Sequence, residues 1–411
     1  MTSLAAATEP TALRNGIRYA ALHRPGADVT TVSVWILAGS RHEPTPGVAH
    51  LFEHVVMQSV PAGRSMRVVD EIEAWGGDAN AMTTRDHVVL HARVPATDAA
   101  AALRVLAAAI MTSEFDEDLV DAERRVVLEE LRLAACDPTD IVHDVFFETA
   151  YGDDPMGRPV GGTVAGVAGL SADDLTAWSR RFVRPALIGV VVSGGMTGEA
   201  VRAVLDSGPL AQLDGAAGDR QPDSSPPVAA GRRDLPIVSE TAGVVVGGPA
   251  FALSNRAILA AEAVIELVAG GNASVLTEEI RSRRGLSYDI AGGVSGYRET
   301  GSWRIAISTA PDHREQVVGL ATGMLADSAR RGWTQAQVSS ASRRVAGLTR
   351  VDAESSLEEA LLFGEHAYVG DSPGFSLGAH LAGLAGVTVR EVNEAAEFMT
   401  DRLVVATAGA G

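Results

Sequence analysis

The sequence contains no lysine. All 34 of its basic residues are arginine, which reads as the coding preference of a GC-rich genome and not as a mechanism. It has a single cysteine, Cys136, which excludes an internal disulfide framework and suits a reducing compartment. Aromatic residues make up only 5% of the chain. Positive charge is in deficit, with a formal net charge of −18, and this argues against a nucleic-acid partner, which needs a basic face. No stretch approaches the run of about twenty apolar residues that a membrane span needs. The first ten residues, MTSLAAATEP, lack the basic start and apolar stretch of a secretory leader. A cytoplasmic protein with no nucleic-acid or membrane partner is expected.

What is present is ample core material. The chain has 411 residues and is 46% hydrophobic, enough for two domains of ordinary size. Residues 207–236 turn to Gly, Pro, Asp, Ser and Ala, including Gln221-Pro222-Asp223-Ser224-Ser225-Pro226-Pro227, and read as a flexible linker. The expected domains are therefore 1–206 and 237–411. In the first, strands are expected at 16–24, 30–38, 87–94 and 187–192. Helices are expected at 47–59, 67–75 and along 96–135 with a break at 113–116. The second repeats the rhythm, with strands near 244–246 and 303–308 and helices at 256–268, 276–284, 314–330 and 335–349. This alternation implies an α+β class with helices on mostly antiparallel sheets. A repeat is not visible as sequence identity.

The densest signal is Gly47-Val48-Ala49-His50-Leu51-Phe52-Glu53-His54-Val55-Val56-Met57, which holds His-x-x-Glu-His in an apolar, helix-like setting. This is the inverted zinc-peptidase signature. On a helix His50 and His54 are four apart and project from one face, where both imidazoles can grip one ion. Glu53, three residues after His50, lies on the same side and can reach a water bound there. Ten histidines and 26 glutamates in 411 residues give roughly 0.015 chance matches to the pattern. The competing reading is a polar helix edge with two solvated histidines. It sits badly with the Val, Leu and Phe neighbours, because unpaired imidazoles are costly in apolar surroundings.

A catalytic zinc site takes three protein ligands and a water, so a third ligand is needed. The candidate stretch is 121–131. Glu123 and Glu130 are two helical turns apart and share a face, Glu129 is rotated away, and Val126 and Val127 supply the adjoining apolar face. With these residues the sequence resembles the pitrilysin-like (M16) family of zinc metallopeptidases, the inverzincins, and its short bacterial processing-peptidase-like branch. The resemblance makes Glu130 the third ligand of one Zn2+ beside His50 and His54, and Glu123 the carboxylate that supports it. It extends over Asn15-Gly16, the stretch from Val34-Trp35 to Gly39-Ser40-Arg41, Glu43, and the loop Pro155-Met156-Gly157-Arg158-Pro159. The segment Gly76-Gly77-Asp78-Ala79-Asn80-Ala81-Met82-Thr83 resembles the family's G-G-x-x-N-A-x-T. That implies substrate binding at Gly76, Gly77, Asn80, Ala81 and Thr83.

In the second half, Arg281-Ser282-Arg283-Arg284-Gly285-Leu286-Ser287-Tyr288 resembles the family's carboxyl-terminal Arg-x-x-x-x-Gly-Leu-x-Tyr element, though one residue shorter between Arg and Gly. The resemblance implies that Arg281 holds substrate backbone and that Tyr288 stabilises the oxyanion. Without it, Arg281 would be a solvated helix residue and Tyr288 the start of a strand. Two further places depart from the family pattern. Ala273-Ser274-Val275-Leu276-Thr277 replaces a Ser-Ser-Arg-Leu-Phe-like run, and Asp154 stands where a His is usual. Both bear on substrate or dimer contacts, not on the metal site.

The resemblance implies a LuxS/MPP-like metallohydrolase fold, with two similar α/β-sandwich domains forming half of a clamshell. It also implies a zinc-dependent endopeptidase that cuts peptides or unfolded segments, leaders and presequences among them, in an enclosed chamber with Zn2+ and Glu53 activating water. One chain carries both the zinc motif and the Arg/Tyr pair, so a homodimer is expected, with a heterodimer beside a related chain as the alternative. The rival class is a non-catalytic subunit that binds peptides or acts as a scaffold.

Overall fold

The computed structural model describes residues 10–214 and 227–409. Most of the amino-terminal stretch, 1–9, and the middle of the expected linker, 215–226, lie outside the described residues. The chain forms two compact units, each built on one sheet.

The sheet of the first unit holds β1 (Thr11–Ala12), β2 (Arg18–His23), β3 (Val29–Ile36), β4 (Asp78–Thr83), β5 (Val88–Pro95) and β6 (Ile188–Gly194), in the order β1-β2-β6-β3-β5-β4. The pair β2 and β6 is parallel and every other pair is antiparallel. The sheet of the second unit holds β7 (Gly231–Leu235), β8 (Ala242–Ala250), β9 (Ser287–Gly296), β10 (Gly301–Thr309) and β11 (Val404–Ala408), in the order β7-β11-β8-β10-β9. There β7 and β11 are parallel and the rest antiparallel. Setting the short β1 aside, each sheet takes its five strands in the spatial order first, fifth, second, fourth, third, with the same directions. The repeat that sequence identity does not reveal is therefore explicit in the topology, and the α+β class with mostly antiparallel sheets holds.

The helices follow the sequence signals closely. In the first unit α1 is Val48–Gln58, α2 is Val68–Glu73 and α3 is Ala99–Ile110; α4, Glu117–Cys136, starts after a break at 111–116. The stretch expected as an ordinary helix at 276–284 is instead a π-helical turn over Thr277–Arg283.

The units are not continuous in sequence. The first comprises Met1–Leu131, Val160–Pro222 and Val351–Ala379; the second comprises Arg132–Pro159, Asp223–Arg350 and His380–Gly411. Each half of the chain thus lends the other the segment that follows its second long helix. A division at 207–236 leaves both lent segments on the far side of the cut.

The lent segments are held by shape and by buried polar contacts. In the first unit, the helix Ser356–Gly364 packs on β3 and β6. Strand β3, Val-Thr-Thr-Val-Ser-Val-Trp-Ile, is buried from Thr30 to Ile36 on both side-chain parities. That is why it reads as a β-branched run and not as an alternation. A Cβ on Gly364 would fall inside the Trp35 indole, and one on Gly189 inside the Tyr368 ring. The Tyr368 hydroxyl donates to the Val190 carbonyl at 2.7 Å. Glu359, itself buried, accepts from Ser193 Oγ at 2.6 Å and pairs with Arg24 at 2.8 Å. In the second unit, α5 (Pro138–Tyr151) starts with Pro138 behind an Asp137 cap whose side chain accepts from the Thr139 amide. It buries Val142, Val145, Phe146, Phe147 and Ala150 in a core shared with Val245, Val404 and Ala406. Gly243 and Gly247 of β8 make room for it, since a Cβ at either would collide with Pro138 or Phe146.

Replacing Gly364 by Ala tests the aromatic contact. The added methyl must displace a fully buried indole, so a loss of about 1–3 kcal/mol is expected. It would appear as a lower melting temperature by calorimetry, and an unchanged melting curve would show that Trp35 retreats freely.

Candidate metal centre

Helix α1 begins at Gly47, which lies in the left-handed region at φ 96°. A Cβ there would also crowd Gly161, Gly162 and Val167, so glycine is required on two counts. No side chain at the cap position satisfies the helix's first amides. The carboxylate of Glu43, four residues upstream and only 3% exposed, does so instead, accepting from the Gly47 amide at 2.6 Å and the Ala49 amide at 3.0 Å. An anion at this end also complements the helix dipole. Ala49, Leu51, Phe52, Val55 and Val56 are fully buried, and Phe52 packs on Trp178 with ring centroids 4.5 Å apart. What remains half-exposed is the stripe His50, Glu53, His54 and Gln58.

Helix α4 brings the remaining carboxylates. Its only buried residues are Val120 and Val127, seven apart, and Glu123 and Glu130 follow each by three on the same side. Val126, expected on the apolar face, is instead 46% exposed; it lies one position around the helix from the narrow stripe that Val120 and Val127 define.

The two helices place His50, His54 and Glu130 so that one ligand atom from each lies within 4.8 Å of the others, and among the described residues no other such group of metal-binding side chains occurs. Glu130 Oε2 stands 3.5 Å from His54 Nε2 and 4.0 Å from His50 Nε2. Ligands of a tetrahedral zinc ion are about 3.3 Å apart, so the donor set fits with small side-chain adjustments. His54 Nδ1 lies 3.3 Å from Glu123 Oε2. With that proton donated to Glu123, Nε2 keeps its lone pair toward Glu130. Burial, and then the neighbouring His54, lower the His50 pKa to about 4, against a smaller opposing contact with the Gly161 backbone. His50 is thus neutral, the form that binds metal, throughout the physiological range.

Glu53 is placed differently. Burial raises its pKa above the ordinary carboxylate value; the Thr83 hydroxyl and His54 pull it down and Glu130 pushes it up. Thr83 Oγ1 donates to Glu53 Oε2. Thr83 ends β4, an edge strand paired with β5 on one side only. Of the other expected substrate-binding residues, Gly76 turns the chain at φ 75° after α2, and Gly77 passes over β5, where a Cβ would strike Val94 and the Arg93 backbone. Asn80 and Ala81 lie in the edge strand, with the Asn80 side-chain Oδ1 accepting from the Ala81 amide at 2.8 Å.

Arg281 and Tyr288 come together in the second unit. The Arg281 guanidinium lies over the Tyr288 ring at 5.1 Å, and Tyr288 is 84% exposed. Arg283 and Arg284 are paired with Glu278 and Glu279, whereas Arg281 has no carboxylate partner among the described residues. Asp154, the departure in the Pro155–Pro159 loop, accepts from the Met156 amide and caps its own turn. Two features escape a reading of the motif alone, the Glu43 cap and the Thr83 contact with Glu53. The first has a local signal, an acid just ahead of a helix start. The second joins residues 30 positions apart and has none.

The chain is similar to several known proteins. A family profile described as Insulinase (Peptidase family M16) matches residues 18–164, and one described as Peptidase M16 inactive domain matches residues 169–345. An uncharacterized zinc protease of Streptomyces coelicolor is 30% identical over 410 residues, covering 95% of this chain and 87% of its own. The fold is similar to that of a peptidase M16 inactive domain from Pseudomonas fluorescens, with TM-score 0.89, 18% identity, and 99% and 98% of the two chains covered. It is likewise similar to a protease from Helicobacter pylori, with TM-score 0.88, 18% identity, and 99% and 100% covered.

Removing the Glu123 carboxylate should weaken metal binding without removing a donor. For Glu123→Ala, zinc affinity measured by competition with a chelating dye is expected to fall about 10–100-fold with the melting temperature little changed. Wild-type affinity would show that His54 needs no such partner.

Proposed function

The chain belongs to the insulinase family, peptidase family M16, and on that premise we propose that it is a zinc-dependent endopeptidase acting on peptides or unfolded segments. The observation that carries the reading is the convergence of His50, His54 and Glu130 beside a carboxyl group, Glu53, whose pKa burial has raised. His50, His54 and Glu130 would hold the ion. When bound, zinc supplies Lewis acidity that polarises a carbonyl and acidifies water. Glu53 takes one proton from the attacking water and delivers it to the amine nitrogen as the C–N bond breaks, while the hydroxyl stays on the carbonyl carbon. A raised pKa suits a group that must both accept and release that proton near neutrality.

The open edge of β4 supports docking of substrate as an added strand, a mode that reads backbone more than side chains and fits peptides of varied sequence. In this reading the exposed Tyr288 hydroxyl serves the developing oxyanion and Arg281 a substrate carbonyl. Because one chain carries both the donor set and this pair, the assembly we propose is a homodimer. The single exposed cysteine suits a reducing compartment such as the cytoplasm, and among the described residues no helix is long and apolar enough to cross a membrane. The profile named for an inactive domain covers residues 169–345, the half in which the helix slot after the second strand is filled by the apolar Ala257–Ala269. The donor set and the base, His50, His54, Glu130 and Glu53, lie outside it, while Arg281 and Tyr288 lie within it.

Glu53→Gln keeps the shape and removes the base. Hydrolysis of a peptide mixture, read by mass spectrometry beside a chelated control, is expected to fall at least about 10²-fold with zinc content intact. Unchanged cleavage by that variant would sink the peptidase reading.

A further inference from the structure

Strand β4 meets both the docking edge and the base, and Thr83 is the residue that joins them. Its side chain points to the α1 side, with Ala79 and Ala81, while Asp78, Asn80 and Met82 alternate outward. The hydroxyl reaches Glu53 Oε2. The turn that follows is clamped. The Thr84 carbonyl accepts from the Ser40 amide at 2.9 Å and the Arg85 carbonyl from the Arg41 amide at 3.2 Å. Arg41 and Asp86 form a buried ion pair at 2.6 Å. A Cβ on Gly39 would overlap the Thr84 carbonyl, so the end of β3 sits directly against this turn. Thr83 is therefore presented from a rigid frame, whereas Glu53 is a long side chain with several rotamers.

We propose that Thr83 is the positioning residue for the base, an inference that rests on the peptidase reading. By donating to Oε2 it fixes the carboxylate plane and assigns the proton transfer to Oε1. Because the donor belongs to the strand on which a peptide would dock, the same contact sets the base in register with the substrate backbone. A peptide carbonyl placed by β4 and the oxygen that takes the proton are then separated by one hydrogen bond of adjustable geometry, not by two independently moving elements. Positioning of this kind is where small errors are expensive, since a misplacement of about 1 Å costs about 10²-fold in rate.

The test compares Thr83→Val, which keeps the shape and loses the donor, with Thr83→Ser, which keeps the donor. Turnover and KM are measured on a fluorogenic peptide and zinc by elemental analysis. The Glu53 carboxyl resonance is read in protein labelled with 13C at glutamate carboxyls, assigned through Glu53→Gln. Thr83→Val is expected to lower kcat about 10–100-fold, with KM and zinc content within about twofold, and to shift the carboxyl resonance. Thr83→Ser is expected to restore kcat to within about fivefold of wild type and to return the resonance. Equal loss in both variants, full activity in Thr83→Val, or a resonance indifferent to Thr83→Val each overturns the proposal. A wild-type chain that binds zinc yet cleaves no peptide refutes the peptidase reading instead, and the carboxyl resonance still reports whether Thr83 holds Glu53.

Discussion

A helix that is buried along most of its circumference must still present two imidazoles and a carboxyl group in working form, and the first unit is organised around that demand. Polar side chains in such surroundings lose hydration and need replacements. α1 meets the need from four directions. Glu43 satisfies its opening amides, Glu123 holds His54, Glu130 faces both rings, and Thr83 holds Glu53. None of these partners lies on α1 itself, so the geometry of the centre is a property of the packed unit. The same burial that makes the arrangement costly keeps His50 neutral and makes Glu53 a stronger base.

The second unit shows what the same topology does without that demand. In each unit the connection from second to third strand carries a helix. In the first it is the polar-striped α1; in the second it is Ala-Ile-Leu-Ala-Ala-Glu-Ala-Val-Ile-Glu-Leu-Val-Ala, buried at nine positions. The second unit instead exposes a cation and an aromatic ring at the π-helical turn and the start of β9, where Arg281 lies over the Tyr288 ring. π-Turns are often found at functional positions, because they cost backbone geometry that simple packing does not require.

Much of this was legible from the residues. α1, α3, α4 and the buried strands carry strong periodic or β-branched signals, and the metal-binding pattern is local to five residues plus one helical repeat. β4 was not legible as a strand from its composition. Asp-Ala-Asn-Ala-Met-Thr has one β-branched residue, and it is extended because β5 pairs with it along its whole length. The lent segments were also hidden, since Gly364 facing Trp35 or Gly243 facing Pro138 is a contact across more than a hundred residues that no local pattern encodes. Val126 shows the converse error, an apolar residue placed inside by pattern and left outside by a narrow contact stripe.

The reciprocal lending of segments has a consequence for how the molecule is made. A chain emerging from the ribosome folds from its amino terminus, yet the first sheet cannot be closed over until residues 351–379 have been synthesised. Until then the β3 face that will receive Gly364, with Trp35 upon it, stays uncovered, and Ser193 waits for Glu359. The second sheet has its borrowed helix α5 in hand before the strands it covers, and waits instead for its own last strand, β11, which lies between β7 and β8. The unit that carries the candidate metal centre is thus the first begun, yet it keeps an apolar face open until most of the chain has been made.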